Sequence, residues 1–160
     1  MKSSDTGVES RIHLEEPVKS LLDQTARAVF SISPEATVYE AIERMSEEHI
    51  GALVVLSGGE LVGIISERDY ARKVILKGRQ SREARVSEVM STPVFHVAPG
   101  TKIDECLRVM TSRRVRHLPV LEGERVVGVI SMGDLVKWIV NSHEQTIQQL
   151  ENYIGGTYPA

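Results

Sequence analysis

The sequence predicts a mixed α/β (α+β) fold made of two tandem βαββα units. Three observations carry that prediction: an internal repeat, a helical spacing of apolar residues within each repeat, and a glycine-bearing turn between two apolar runs. Displaced by 65 residues, the chain matches itself without a gap. Val29-Phe30 falls on Val94-Phe95, Pro34 on Pro99, Glu40 on Glu105 and Met45 on Met110. Leu53, Val55, Leu56 and Gly58 fall on Leu118, Val120, Leu121 and Gly123. Val62-Gly63, Ile65-Ser66 and Asp69 fall on Val127-Gly128, Ile130-Ser131 and Asp134. Several other pairs exchange one aliphatic residue for another, as at Ile42/Leu107 and Ile50/Val115.

Each copy reads the same way from its start. A short extended stretch, Ala28–Ile32 or Val94–Val97, runs up to a proline or stops just short of one. Val38, Ala41, Ile42 and Met45 then recur at i, i+3, i+4 and i+7, as do Ile103, Cys106, Leu107 and Met110, which is the period of an amphipathic helix. Thr37 is placed to cap the first of these helices, with Glu40 completing a capping box. Strands Ala52–Leu56 and Leu61–Ser66 flank the turn Ser57-Gly58-Gly59-Glu60, a β-hairpin pattern. A second helix follows in each copy, Glu67–Ile75 and Met132–Val140. One copy alone hides too little surface to be stable, so the two are expected to pack together with pseudo-two-fold symmetry and to form clefts in pairs. The polar stretch Lys77–Glu88 joins them, Leu14–Gln24 reads as a leading helix, and Glu144–Tyr153 reads as a trailing helix ended by Gly155-Gly156. The expected organisation is a flexible segment 1–13, a first domain 14–80, a second domain 81–142, and a C-terminal helix and tail 143–160.

Composition narrows the function classes. Lys and Arg total 19 against 22 Asp and Glu, a formal charge of −3, so no excess of positive charge awaits a nucleic-acid backbone. Aromatic residues at 4% are too few for a row of base-stacking platforms. The start lacks an apolar signal region, and no apolar run approaches the about 18 residues of a membrane helix. The single cysteine, Cys106, excludes an internal disulfide and fits a reducing compartment, so the expectation is a cytoplasmic protein without nucleic-acid or membrane partners. There is no G-x-x-x-x-G-K-[ST] loop, no G-x-G-x-x-G and no H-E-x-x-H. The histidines His13, His49, His96, His117 and His143 lack metal-ligand spacing, and no metal or catalytic residue is expected. Cys106 falls on the apolar face of a helix and reads as a small core residue.

The residues with chemical content are Ser66-Glu67-Arg68-Asp69 and its repeat Ser131-Met132-Gly133-Asp134, each where a strand hands over to a helix. A helix start offers N–H groups to a phosphate, a serine hydroxyl can donate to it, and an aspartate can accept from two vicinal ribose hydroxyls. Ser-x-x-Asp is equally the pattern of a helix cap, and one set of residues can serve both ends. The second copy alone adds Arg116 and His117 just before its hairpin, where the first has Gly51 and Ala52. A guanidinium forks well onto phosphate oxygens. The basic run from Arg68 to Arg85 reads as a solvated face that also raises the local concentration of anions.

With these residues in view, the chain resembles a tandem pair of cystathionine-β-synthase-type (CBS) domains, a Bateman module, over roughly residues 14–140. Val29–Pro34, Gly51–Val55, Leu61–Asp69, Val86–Val94, Val115–Val120 and Val126–Asp134 carry the resemblance by their order and fixed spacing, given twice. It implies a non-catalytic module that binds an adenosyl ligand (AMP, ADP, ATP, NAD(H) or S-adenosylmethionine) in its clefts and changes shape to regulate a partner. It also implies a homodimer joined through helices into a disc of four domains. The family's ribose aspartate falls on Asp69 and Asp134, its phosphate-side serine on Ser66 and Ser131, and its basic pair on Arg116 and His117. For the Asp134 cleft the adenine would lie near Thr25, Ala28 and Phe30, and for the Asp69 cleft near Met90, Thr92 and Val94. Gly51 and Ala52 depart from the pattern, leaving Arg68 as the cation for the first cleft, and Gly133 supplies no hydroxyl to the second. Two other readings stand beside this one: an interaction module whose clefts are not ligand-regulated, and an enzyme acting on a nucleotide.

Overall fold

The computed structural model describes residues 13–151, with side chains through residue 142. Most of the expected flexible segment, residues 1–12, lies outside the described residues, as do Tyr153 and the Gly155-Gly156 stop. The described chain divides into two compact units, one of residues 13–27, 97–118 and 130–151, the other of residues 28–96 and 119–129.

In the second unit a three-stranded sheet has the order β1-β2-β3, from Ser31–Ile32, Ala52–Ser57 and Glu60–Ser66. β1 runs parallel to β2, with Ser31 opposite Val54, and β2 runs antiparallel to β3, with Ala52 opposite Ser66. Gly58 and Gly59 both take positive φ, 59° and 84°, as a two-residue type I′ hairpin requires. Helix α2, Val38–Glu48, buries Val38, Ala41 and Met45 against Leu53, Val55 and Ile65. Its capping box is formed: Thr37 Oγ1 accepts from the Glu40 amide, and the Glu40 carboxylate accepts from the Thr37 amide at 2.8 Å.

Several elements depart from the sequence pattern. The first strand shrinks from Ala28–Ile32 to Ser31–Ile32, and Val94–Val97 forms no strand. The polar joining stretch is partly core: Ala84 and Val86 are buried, and Val86 opens helix α4, Val86–Val89. The Ala84, Val86 and Val89 spacing was masked by the charges between them. The second helix of the first copy is a short α3, Glu67–Tyr70, followed by a π-helical turn, Ala71–Ile75. In that turn the Leu76 N–H reaches the Ala71 carbonyl, five residues back.

The other unit holds α1 (Val18–Thr25), α5 (Ile103–Arg113) and α6 (Met132–Glu151). The expected leading helix is interrupted at Glu16-Pro17, since a residue before proline is driven out of helical backbone. Val18 and Lys19 donate to the Thr101 and Pro99 carbonyls, and Ile103 donates to Glu16, which seats α1 on the start of α5. Val18, Leu21, Ile103, Cys106, Met110 and Leu135 are buried here. Burial lifts the Cys106 thiol to about 11, aided by Glu105, so it is an unreactive core group. The hairpin of β4 (His117–Glu122) and β5 (Arg125–Ser131) precedes α6, Met132–Glu151. The two expected C-terminal helices are one, because no glycine or proline separates Val140 from Glu144.

Candidate functional site

The first candidate cluster forms where β3 ends. Ser66 is the N-cap of α3, and its Oγ accepts from the Asp69 amide at 3.2 Å. Asp69 Oδ2 accepts from the Ser66 amide at 2.9 Å and from the Ser66 hydroxyl at 3.0 Å. Asp69 Oδ1 accepts from the Ser91 hydroxyl at 3.1 Å and pairs with Lys73 Nζ at 3.0 Å. Lys73 donates further to the Val89 carbonyl at 2.9 Å and to Ser91 Oγ at 3.3 Å. Ser91 is fixed by a two-way backbone bridge to Ile64 in β3. Asp69 is buried, and Lys73 keeps 43% of its side chain exposed.

The residues expected beside this cluster divide. Met90 lies over Gly63, where a β-carbon would collide with the methionine sulfur, so the sequence needs glycine there. Thr92 and Val94 line a groove of about 380 Å³ with Leu61, Val62 and Leu121, rimmed by Glu60 and Glu124. Neither Ser66 nor Asp69 lines that groove. Arg68 is exposed.

The second cluster forms where β5 ends. Asp134 Oδ2 accepts from the Ser131 amide at 2.8 Å, and the Asp134 amide donates to Ser131 Oγ at 3.1 Å. Asp134 Oδ1 pairs with Arg27 at 2.6 Å. Burial alone would raise the Asp134 carboxyl, but the Ser131 amide and hydroxyl and the Arg27 guanidinium outweigh it and hold the group below its ordinary range. His117 is pushed below the usual histidine value chiefly by burial and also by Arg116, with Asp134 opposing. Arg116 is exposed, and its carbonyl accepts from the Met132 amide at 2.8 Å. Gly51 does the same for Glu67 in the first copy, at 3.0 Å. In both copies the first and third helical amides are thus engaged by the fold itself. Thr25 is exposed and donates to the Leu22 carbonyl, and Gly133 is exposed, with Ser131 Oγ 3.6 Å from where a β-carbon would lie. Ala28 and Phe30 belong to the other unit, Ala28 exposed and Phe30 half-buried beneath Arg44.

Both Ser-x-x-Asp motifs are therefore helix caps. Sequence reasoning missed the partners of the two carboxylates. Lys73 carried a signal, lying one helical turn after Asp69. Arg27 carried none. Much of the basic run is paired within its own unit: Arg79 with Glu88, Arg82 over the Tyr39 ring at 4.0 Å, and Arg85 on the Glu35 carbonyl. Among the described residues no group of His, Cys, Asp and Glu is arranged to hold a metal, and no helix is long and apolar enough to cross a membrane.

The model of the CBS domain family matches this chain twice, over residues 18–75 and 86–141. The chain is a tandem pair of CBS domains. The CBS pair is 41% identical over 127 residues to the mitochondrial CBS domain-containing protein CBSX3 of Arabidopsis thaliana, a match over 76% of this chain and 62% of that protein. It thus spans less than two thirds of that relative's length. Among solved structures it resembles a CBS-domain protein from Burkholderia ambifaria, with 44% identity, a TM-score of 0.75, and coverage of 78% of this chain and 94% of that one. It also resembles the CBS-domain containing protein ATU1752 from Agrobacterium tumefaciens, with 37% identity, a TM-score of 0.72, and coverage of 76% and 97%. The match to the inosine-5'-monophosphate dehydrogenase of Methanocaldococcus jannaschii spans 25% of that enzyme's length.

Proposed function

We propose that this CBS pair is a non-catalytic regulatory module that binds an adenosyl nucleotide at the Asp134 site and passes its occupancy to a partner protein. The observation that carries this reading is the gathering in one unit of Asp134, Ser131, Arg116, His117 and Arg27. Asp134 is ionised at neutral pH and accepts from the ribose hydroxyls. Arg116 and Arg27 supply positive charge for a phosphate, and Ser131 lies beside them at the helix start. AMP, ADP, ATP and NAD(H) share the adenosine that this arrangement reads. The module needs no obligatory cofactor, and its setting is the cytoplasm. A homodimer belongs to the same reading, since Val136 and Val140, one turn apart on α6, are 49% and 46% exposed.

Calorimetric titration with AMP tests the assignment. Asp134→Ala is expected to lose most of the binding while the fold survives, and equal affinities for wild type and variant overturn it. A thermal-shift screen with AMP, ATP, NADH and S-adenosylmethionine tests the function at large, because a ligand at 100 times its Kd adds about 2.7 kcal/mol of stability. A flat response to all of these supports the second reading, an interaction module with structural clefts. The saturated hydrogen bonding of Asp69 favours that reading for the first copy.

A further inference from the structure

We propose that Lys73 is a latch that decides which carboxylate site is open to a ribose diol: it keeps the Asp69 site shut and leaves the Asp134 site responsive. The inference rests on the adenosyl-nucleotide reading of the pair. A carboxylate offers roughly four lone-pair positions. On Asp69 the chain itself fills them, with the Ser66 amide and hydroxyl on Oδ2 and the Ser91 hydroxyl and Lys73 ammonium on Oδ1. Lys73 is pinned in turn on the Val89 carbonyl and Ser91 Oγ, so each of its protons has an acceptor. A sugar that claims Oδ1 must displace both Lys73 and Ser91 and strand the Val89 carbonyl.

The π-helical turn is where this happens, a local geometry that recurs at functional sites. In the second copy the position equivalent to Lys73 is Trp138, whose indole donates to the His13 carbonyl at 3.1 Å and brings no charge to Asp134. Asp134 Oδ1 is met instead by Arg27, which is 47% exposed and arrives from the segment after α1. A guanidinium on a half-exposed side chain can leave the carboxylate and follow a ligand's phosphate, and it gives up one ion pair in doing so. Lys73 would give up three acceptors.

Two measurements on the full-length protein test the latch. The first is lysine acylation of the ligand-free protein followed by mass spectrometry. Lys73 is expected to label about tenfold more slowly than the exposed Lys77, and Asp69→Asn is expected to remove the protection. The second is AMP stoichiometry by calorimetry. Wild type is expected to take one AMP per chain and Lys73→Met two, with Lys73→Gln replacing Lys73→Met should the latter not fold. Equal labelling of Lys73 and Lys77 overturns the latch. So do two AMP on the wild-type chain, or a single AMP on Lys73→Met. Protection of Lys73 with no AMP bound by wild type or variant overturns the nucleotide reading alone, because labelling reads the latch without ligand.

Discussion

Asp69 and Asp134 hold the same place in two copies of one unit, and their side chains are almost equally buried, 12% and 11% exposed. Each closes a capping box with the serine three residues before it. They differ in what meets the outer oxygen. Asp69 has a lysine from its own helix and a serine from the segment after α4, whereas Asp134 has an arginine from the segment after α1. The motif fixes where a carboxylate stands. The residues around it, drawn from elsewhere in the chain, fix whether it is free to accept anything else.

The largest effect that bears on this contrast is expected from removing each carboxylate in turn. Asp69→Ala takes away a cap, a hydroxyl acceptor and the counter-charge of Lys73, for a loss of about 2 kcal/mol after discounting the half-exposed lysine. Asp134→Ala should cost about 1 kcal/mol, since it removes a cap and one pair to a half-exposed arginine. Urea unfolding of the ligand-free proteins measures both, and equal losses would erase the distinction.

A smaller asymmetry lies at the starts of α2 and α5. Thr37 caps α2 through its side chain, whereas Lys102, at the equivalent place before α5, makes no side-chain cap. Thr37→Ala should cost about 1 kcal/mol and Lys102→Ala less than about 0.5 kcal/mol. Thermal unfolding of the pair checks it, and a larger loss at Lys102 would reverse the order.

The smallest effect is a pH dependence confined to the second copy, where His117 replaces Ala52. Burial lowers the folded His117 pKa from 6.5, so the unfolded chain takes up the proton first as pH falls. Stability from this group is whole above 6.5 and declines until the pH passes the folded value. His117→Gln should flatten the stability curve in that window, and an unchanged slope would remove histidine from the account. The lowered Asp134 carboxyl acts in a separate window: its stabilisation is present above 3.8 and is lost as pH falls through its folded value.

What the sequence made legible was local. The capping boxes, the hairpins and the apolar faces of α2 and α5 all follow from residues within a few positions of one another. The α4 segment was hidden because Ala84, Val86 and Val89 sit among charges, so their burial comes from tertiary packing. The strand expected at Val94–Val97 is aliphatic like β1, but that composition does not extend the single bridge position at Val97 into a ladder. Arg27 is joined to Asp134 only by folding. Lys73 was visible as one cation in a run, and its role depends on Val89 and Ser91, which the helix period does not reach.

The π-helical turn at Ala71–Ile75 has a consequence for every residue after it. The two copies align without a gap, yet a turn closed five residues back holds one more residue than the α-helical turn at the same place in α6. Through Ala71–Ile75 the side chains of the first copy therefore fall progressively behind their numbered counterparts around the axis, by about 100° once the turn is complete. Ile75 and Val140 occupy matching columns of the repeat but point along different bearings. A chimaera that swaps residues between copies by number would keep its facing up to Tyr70 and be rotated out of phase from there on.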